Sequence, residues 1–150
     1  MSCWLVKSEP HKYSIDDLRR DKTTLWTGVR NYQARNFLRA MQVGDSVLYY
    51  HSVTEPPGVI GIATVKATAV ADPSQFESDG EYFDEKATPD EPRWFAPRLG
   101  YVRSFSQVIA RKDMLSCRQL EGLECLKPRS RLSVHPVSEA HFRFICDLAS

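Results

Sequence analysis

The spacing of apolar and polar positions divides the chain into strands and helices. Residues 3–7 are an apolar run that reads as a short buried strand. It ends before Pro10, which has no N–H to give a ladder. Ser14, followed by Asp16 and Asp17, marks a helix start: a capping hydroxyl, then carboxylates at the positive end of the helix dipole. That helix is expected to reach about Arg20, with residues 21–24 a polar connection. From Asn31 the pattern turns helical again, with Phe37, Leu38 and Met41 on one face, Arg35 and Arg39 on another, and Gly44 as a left-handed end. Residues 46–52 alternate, with Val47, Tyr49 and His51 to one side and Leu48, Tyr50 and Ser52 to the other. After a Pro56-Pro57-Gly58 turn, residues 59–71 are β-branched and read as a buried strand, with Gly61 marking a bulge or close backbone approach. Residues 72–76 begin a short helical turn or loop, and 77–92 form an acidic loop. Residues 93–109 read mostly as strand, 110–117 as a short helix, 119–129 as a short helical or irregular piece, 131–135 as a last strand, and 138–149 as a helix capped by Ser138.

Strands mixed with separated helices, without βαβ alternation, argue an α+β fold with a small β-barrel or curved mixed sheet flanked by helices. At 150 residues the chain fits one domain, 1–150, and no repeat or linker divides it. No apolar run approaches the roughly 18 residues that span a membrane, and the N-terminus reads as a strand rather than a signal peptide. A cytoplasmic protein with scattered reduced thiols is expected, because Cys3, Cys117, Cys125 and Cys146 show no metal-binding spacing.

Net charge is +1, but its distribution is uneven. Residues 1–52 carry eight Lys/Arg and five Asp/Glu, residues 53–92 two and nine, and residues 93–150 ten and five. Basic flanks that met in space would form a positive face for phosphates; a solvated surface with an acidic loop explains the same numbers.

No nucleophile–base constellation, nucleophile elbow, phosphate loop or dinucleotide fingerprint is present. His51 reads as a hydrogen-bonded or ligand-contacting residue, and Asp16-Asp17 and Asp84-Glu85 have ordinary explanations at a helix start and in a loop. Three stretches instead put aromatic and polar residues side by side: Lys7-Ser8-Glu9-Pro10, the run from Trp26 and Arg30 through Asn31, Tyr32 and Gln33, and Arg93-Trp94-Phe95-Ala96-Pro97-Arg98. A flat base can be gripped between aromatic faces at roughly 1–3 kcal/mol per stack. Polar groups then read its edge, and Arg or Lys hold phosphates. On spacing alone Trp26 fits a core position as well as a pocket wall.

Residues 4–10, 13–18, 26–36, Tyr50-His51-Ser52 and Gly61-Ile62-Ala63 together resemble the EVE domain family, and the chain is similar to a stand-alone bacterial member. The resemblance covers essentially the whole chain and is most specific at 7–10 and 26–36. It implies a PUA-like fold related to YTH and ASCH domains. It also implies recognition of a modified nucleobase, chiefly modified cytosine in DNA or a modified base in RNA, with no cofactor or metal. Trp26 corresponds to the tryptophan that opens the YTH-type aromatic cage, and Lys7 and Ser8 to the polar corner beside it. Trp94 or Phe95 is the candidate second wall, and Asn31, Tyr32 and Gln33 are assigned to the lining. Glu9, Arg30, Tyr50, His51, Ser52 and Arg98 complete the expected ligand-binding set. ASCH relatives include enzymes, so a hydrolase acting on a modified nucleoside, with Lys7, Glu9 or His51 as acid or base, stays open, as does a protein-interaction adaptor.

Overall fold

The computed structural model describes residues 2–149, so Met1 and Ser150 of the expected 1–150 span lie outside the described residues. Six strands and four helices follow in the order β1 (Cys3–Ser8), α1 (Ile15–Asp21), β2 (Thr23–Leu25), α2 (Tyr32–Ala40), β3 (Ser46–His51), β4 (Gly58–Ala71), β5 (Phe95–Ala110), α3 (Arg111–Leu115), β6 (Val134–Val137) and α4 (Glu139–Leu148). Three 3-10 turns, Pro73–Phe76, Arg118–Leu120 and Glu124–Leu126, join them. The strands form one mixed sheet in the order β2-β5-β4-β3-β1-β6. β1 and β3 run parallel, and the other neighbours are antiparallel. β2 and β6 are its edges, so the sheet is mixed and open and does not close into a barrel.

Helices cover both faces, which explains why the central strands are apolar on both sides. On one face Trp4, Val6, Val47, Tyr49, Ala63, Val65 and Leu99 pack against Ile15 and Leu18 of α1 and Ala34 and Leu38 of α2. On the other, Leu5, Leu48, Tyr50, Val59, Phe105 and Ile109 pack against Met114 of α3, Leu120, Cys125 and Ile145 of α4. The alternation read in 46–52 is the division of β3 between these two cores. Each large side chain removed from water contributes roughly 1.5–3 kcal/mol.

Local signals hold where their chemistry is local. Ser14 and Asp17 form a reciprocal capping box on α1, Asn31 accepts from the Ala34 N–H at the start of α2, and Ser138 caps α4. At Gly61 the β4–β5 register shifts, and a Cβ there would lie 2.6 Å from the Arg103 carbonyl. Three expectations shift. α2 ends at Ala40, and left-handed Gly44 (φ 94°) belongs to the turn beyond it. Of the polar connection expected at 21–24, Asp21 ends α1 and Thr23-Thr24 begin β2, a strand made by pairing with β5 rather than by its own pattern. The last strand lies at Val134–Val137, three residues beyond the start expected, with Pro136 tolerated because β6 is an edge. Among the described residues no helix is long and apolar enough to cross a membrane.

Candidate nucleic-acid base site

At the C-terminal end of β1 the sheet opens into a cavity of about 650 Å³. β2 leads the chain to it: Leu25 pairs with Arg98, and the Trp26 N–H donates to the Pro97 carbonyl at 2.9 Å, extending the ladder by one residue. The Trp26 ring meets Tyr49 edge-on, with centroids 5.5 Å apart and planes at 84°. Only 8% of the residue is exposed, and it belongs to the α1/α2-side core. Trp26 is therefore the floor of the cavity, held from beneath by the core.

Gly28 then turns the chain in the left-handed region (φ 84°), and the reason is visible across the gap. A Cβ at Gly28 would lie 2.9 Å from the ring of Tyr82, which the acidic loop carries to this point. Asp72, capping the 3-10 turn after β4, fixes this loop. Its Oδ2 accepts from the Gly28 N–H at 2.8 Å and from Arg30 Nη1 at 3.2 Å, and its Oδ1 from the Ser74 N–H at 2.8 Å and Ser74 Oγ at 2.6 Å. Burial pushes the Asp72 carboxyl up, but the hydrogen bonds from Ser74, Gly28 and Arg30 outweigh it, so its pKa lies below the ordinary value. Arg30 spends its remaining donors on the carbonyls of Val29 and Tyr82 and on Ser74 Oγ, at 2.8–3.2 Å. The guanidinium also lies over the rings of Tyr82 (5.4 Å) and Trp94 (5.2 Å). Arg30 thus ties the floor loop to the Tyr82 loop, rather than standing free at the rim for phosphate.

The opposite wall is built from the β1–α1 connection. Ser8 Oγ and Tyr49 Oη both donate to the Tyr13 carbonyl, at 2.6 and 2.9 Å, placing the Tyr13 ring in the cavity. The Tyr13 hydroxyl donates to Asp21 at 2.8 Å. At the mouth Lys12 pairs with Glu9 at 3.3 Å and with Glu81 at 3.9 Å. These pairs are exposed and contribute little to stability, but they give that side of the rim carboxylates.

Of the residues expected at the site, Lys7, Ser8, Glu9, Trp26, Arg30 and Asn31 line this cavity. Lys7 lines it on strand β1, but its ammonium lies 5.5 Å over the Tyr50 ring, and burial lowers its pKa. The others lie elsewhere. Tyr50 faces the α3/α4-side core, where burial pushes its phenol up to about 12. His51 Nε2 accepts the Ile15 N–H at 3.1 Å, and burial lowers its pKa. The Ser52 N–H donates to the Ser8 carbonyl at 2.9 Å. Gln33 borders a separate cavity of about 300 Å³ near His135. Arg98 points to Thr23 Oγ1 at 3.3 Å. Trp94 and Phe95 do not supply the second wall: Trp94 donates from Nε1 to Asp84 at 2.8 Å and stacks on Tyr32 (5.0 Å, 22°), while Phe95 lies under Arg39 at 4.3 Å. Tyr82 and Tyr13 are the aromatics that face the Trp26 floor. Sequence reasoning missed both, because each lies in an irregular connection without periodicity; the Tyr82-Phe83 aromatic pair in an otherwise acidic loop was the available signal for Tyr82. Among the described residues no group of three or more His, Cys, Asp or Glu is placed to hold a metal ion.

A mixed open sheet, two-sided by helices, with an aromatic-floored cavity at the end of its parallel strand pair, defines a PUA-like α+β protein. The EVE domain model matches residues 2–148, and the chain belongs to the EVE domain family. It is 36% identical to human thymocyte nuclear protein 1 over 165 residues, which cover 98% of this chain and 73% of the relative. A crystal structure of a Pseudomonas syringae protein is 42% identical, with a TM-score of 0.96 and 99% of each chain covered. The crystal structure of human THYN1 in complex with DNA containing 5-methylcytosine is 35% identical, with a TM-score of 0.93, and covers 100% of this chain and 98% of that one.

Proposed function

We propose that this chain is a single-domain cytoplasmic reader of a modified nucleobase, with 5-methylcytosine in DNA the foremost candidate, held in the cavity above Trp26. The carrying observation is the cavity itself. About 650 Å³ is enough for a nucleotide, its floor and two sides are aromatic, and Ser8, Thr24, Thr27 and Asn31 bring polar groups to its lining. The human relative bound to methylated DNA supports this choice of ligand. In a duplex the base must leave the stack to enter, and the aromatic walls compensate the lost stacking.

The buried floor dictates how this is tested. Trp26→Ala removes a core aromatic, costs about 3–5 kcal/mol, and so confounds binding with folding. Tyr82→Ala removes a half-buried wall instead. Fluorescence anisotropy with matched oligonucleotides, with and without one 5-methylcytosine, should show tighter binding to the modified strand. In Tyr82→Ala that binding should weaken about tenfold or more, the equivalent of one lost stack. Equal affinity for both oligonucleotides would refute the reading.

A further inference from the structure

The aromatic residues that the cavity does not use form an arrangement of their own. Tyr32, Arg35 and Arg39 stand at i, i+3 and i+7 on α2, one stripe of the helix that begins at the cavity rim with Asn31. Each guanidinium is held over a ring: Arg35 lies 4.8 Å from the Tyr32 centroid and 5.8 Å from that of Trp94, and Arg39 4.3 Å from Phe95. Arg93 donates to the Tyr32 hydroxyl, so the half-exposed Tyr32 ring is fixed on both its face and its tip. Stacking on rings orders the arginines before any ligand arrives, which lowers the entropy lost on binding.

Their charges are not spent within the protein. Arg35 donates to the Arg93 carbonyl at 3.0 Å and to Asn36 Oδ1 at 3.0 and 3.1 Å, all neutral acceptors. Arg39 makes no hydrogen bond or ion pair among the described residues, and α2 contains no acidic residue. The other side of the cavity is the reverse. Glu9 and Glu81 stand at that mouth, Glu81 with 70% of its side chain exposed, while Asp84 of the same acidic segment lies beside the stripe and is neutralised there by Arg93 at 3.5 Å and the Trp94 Nε1–H at 2.8 Å. A polyanion entering the cavity is repelled along the Glu81 side and attracted along α2.

We propose that the Tyr32–Arg35–Arg39 stripe is the track for the phosphodiester strand flanking the held base, with Arg35 and Arg39 contacting phosphates. The inference rests on the base-holding reading above. Arg35 and Arg39 stand four residues, about 6 Å, apart along the helix axis, the scale of one internucleotide step along a strand, so the pair can engage two neighbouring phosphates. The backbone so held carries no sequence information; it orients the strand so that one base meets the Trp26 floor.

The test compares wild type, Arg39→Gln, Arg35→Gln/Arg39→Gln and, as a control for net charge, Arg143→Gln on α4. Binding of an oligonucleotide with one 5-methylcytosine is measured across a salt series, alongside binding of free 5-methyl-2′-deoxycytidine. Each phosphate contact contributes about 0.7–0.9 to the slope of log affinity against log salt. The double variant should lose about 1.5 from that slope and bind the oligonucleotide about three- to tenfold more weakly at low salt. Arg39→Gln, whose side chain bonds nothing else, should lose about half as much slope with an unchanged melting temperature. The nucleoside should bind all four proteins alike. An oligonucleotide slope unchanged in the double variant overturns the track and leaves the base reading standing. A wild type that does not discriminate the methylated base, while the slope still falls, overturns the base reading and leaves the cationic track.

Discussion

Asp72→Asn tests whether the floor of the cavity is held in place by one buried carboxylate. Asp72 has a side chain 1% exposed and accepts four hydrogen bonds, two on each oxygen. An amide of the same shape can keep only one oxygen. Its better orientation leaves the oxygen toward Gly28 and Arg30 and turns the NH₂ toward Ser74, whose hydroxyl can rotate to accept but whose N–H cannot. One buried N–H is then unsatisfied, at about 1–3 kcal/mol, and the bond from Arg30 loses its charged acceptor, at about 1 kcal/mol more. The expected loss is about 2–4 kcal/mol, against a total of about 7–15 kcal/mol for a chain of this size, so the variant still folds. In urea, with a slope of about 1–3 kcal/mol per molar, the midpoint should fall by about 1–2 M. Asp72→Ala, which leaves the Arg30 guanidinium without its anion, should cost about 3–5 kcal/mol. A double-mutant cycle with Arg30→Met should show a coupling above about 1 kcal/mol. The native carboxyl has a lowered pKa, so its contribution is complete above the unfolded value of about 3.9 and is lost as pH falls through the folded one. The gap between wild type and Asp72→Asn should therefore narrow in acid. A loss under about 1 kcal/mol, or additivity with Arg30→Met, would refute the reasoning.

Two further outcomes are expected. Gly28→Ala should cost about 1–2 kcal/mol for the left-handed backbone (φ 84°) and displace Tyr82, so affinity for a modified oligonucleotide should fall far more than stability, read by anisotropy beside urea unfolding. Acid should destabilise the fold through His51 and His135, whose pKa values burial lowers. With folded values below the unfolded one, stability is intact above about pH 6.5 and falls as pH drops through that value toward the folded ones. His51→Gln should flatten part of this dependence between about pH 7 and pH 5 in chemical denaturation, and an identical pH profile would count against the His51 contact with Ile15 as its source.

What was legible in the chain is what short-range chemistry writes. The Ser14 cap of α1, the two-sided alternation of β3 and the close approach at Gly61 each involve partners that spacing or sterics announce. What was not legible depends on contacts distant in sequence. β2 is a strand only because β5 lies beside it, and Tyr82 is a wall only because Arg30, 52 residues earlier, bonds its carbonyl. Arg30 shows the limit most clearly: an arginine in a polar, aromatic run reads as a phosphate ligand, yet buried Asp72 converts it into a structural tie. The same holds for Trp94, whose neighbours in sequence resemble a base cage while its partners in space, Tyr32 and Asp84, draw it elsewhere.

The division of labour around Trp26 follows from this. Its lower side is committed to Tyr49 and the core, so its position is set by the free energy of folding and is insensitive to the ligand. A rigid floor confers affinity for any flat base, because every base presents a π-face. Discrimination between bases must come from the edges. Those edges belong to Ser8 at the end of β1 and to segments 27–31, 9–13 and 81–82, which are irregular backbone held by Asp72, Arg30 and the Tyr13 carbonyl. Changes beneath Trp26 should then lower stability and affinity together for modified and unmodified strands alike. Changes in the Asp72–Arg30–Tyr82 tie should instead erode the preference between them while the fold persists. The ratio of the two affinities, rather than either one alone, is the quantity that separates the floor from the walls.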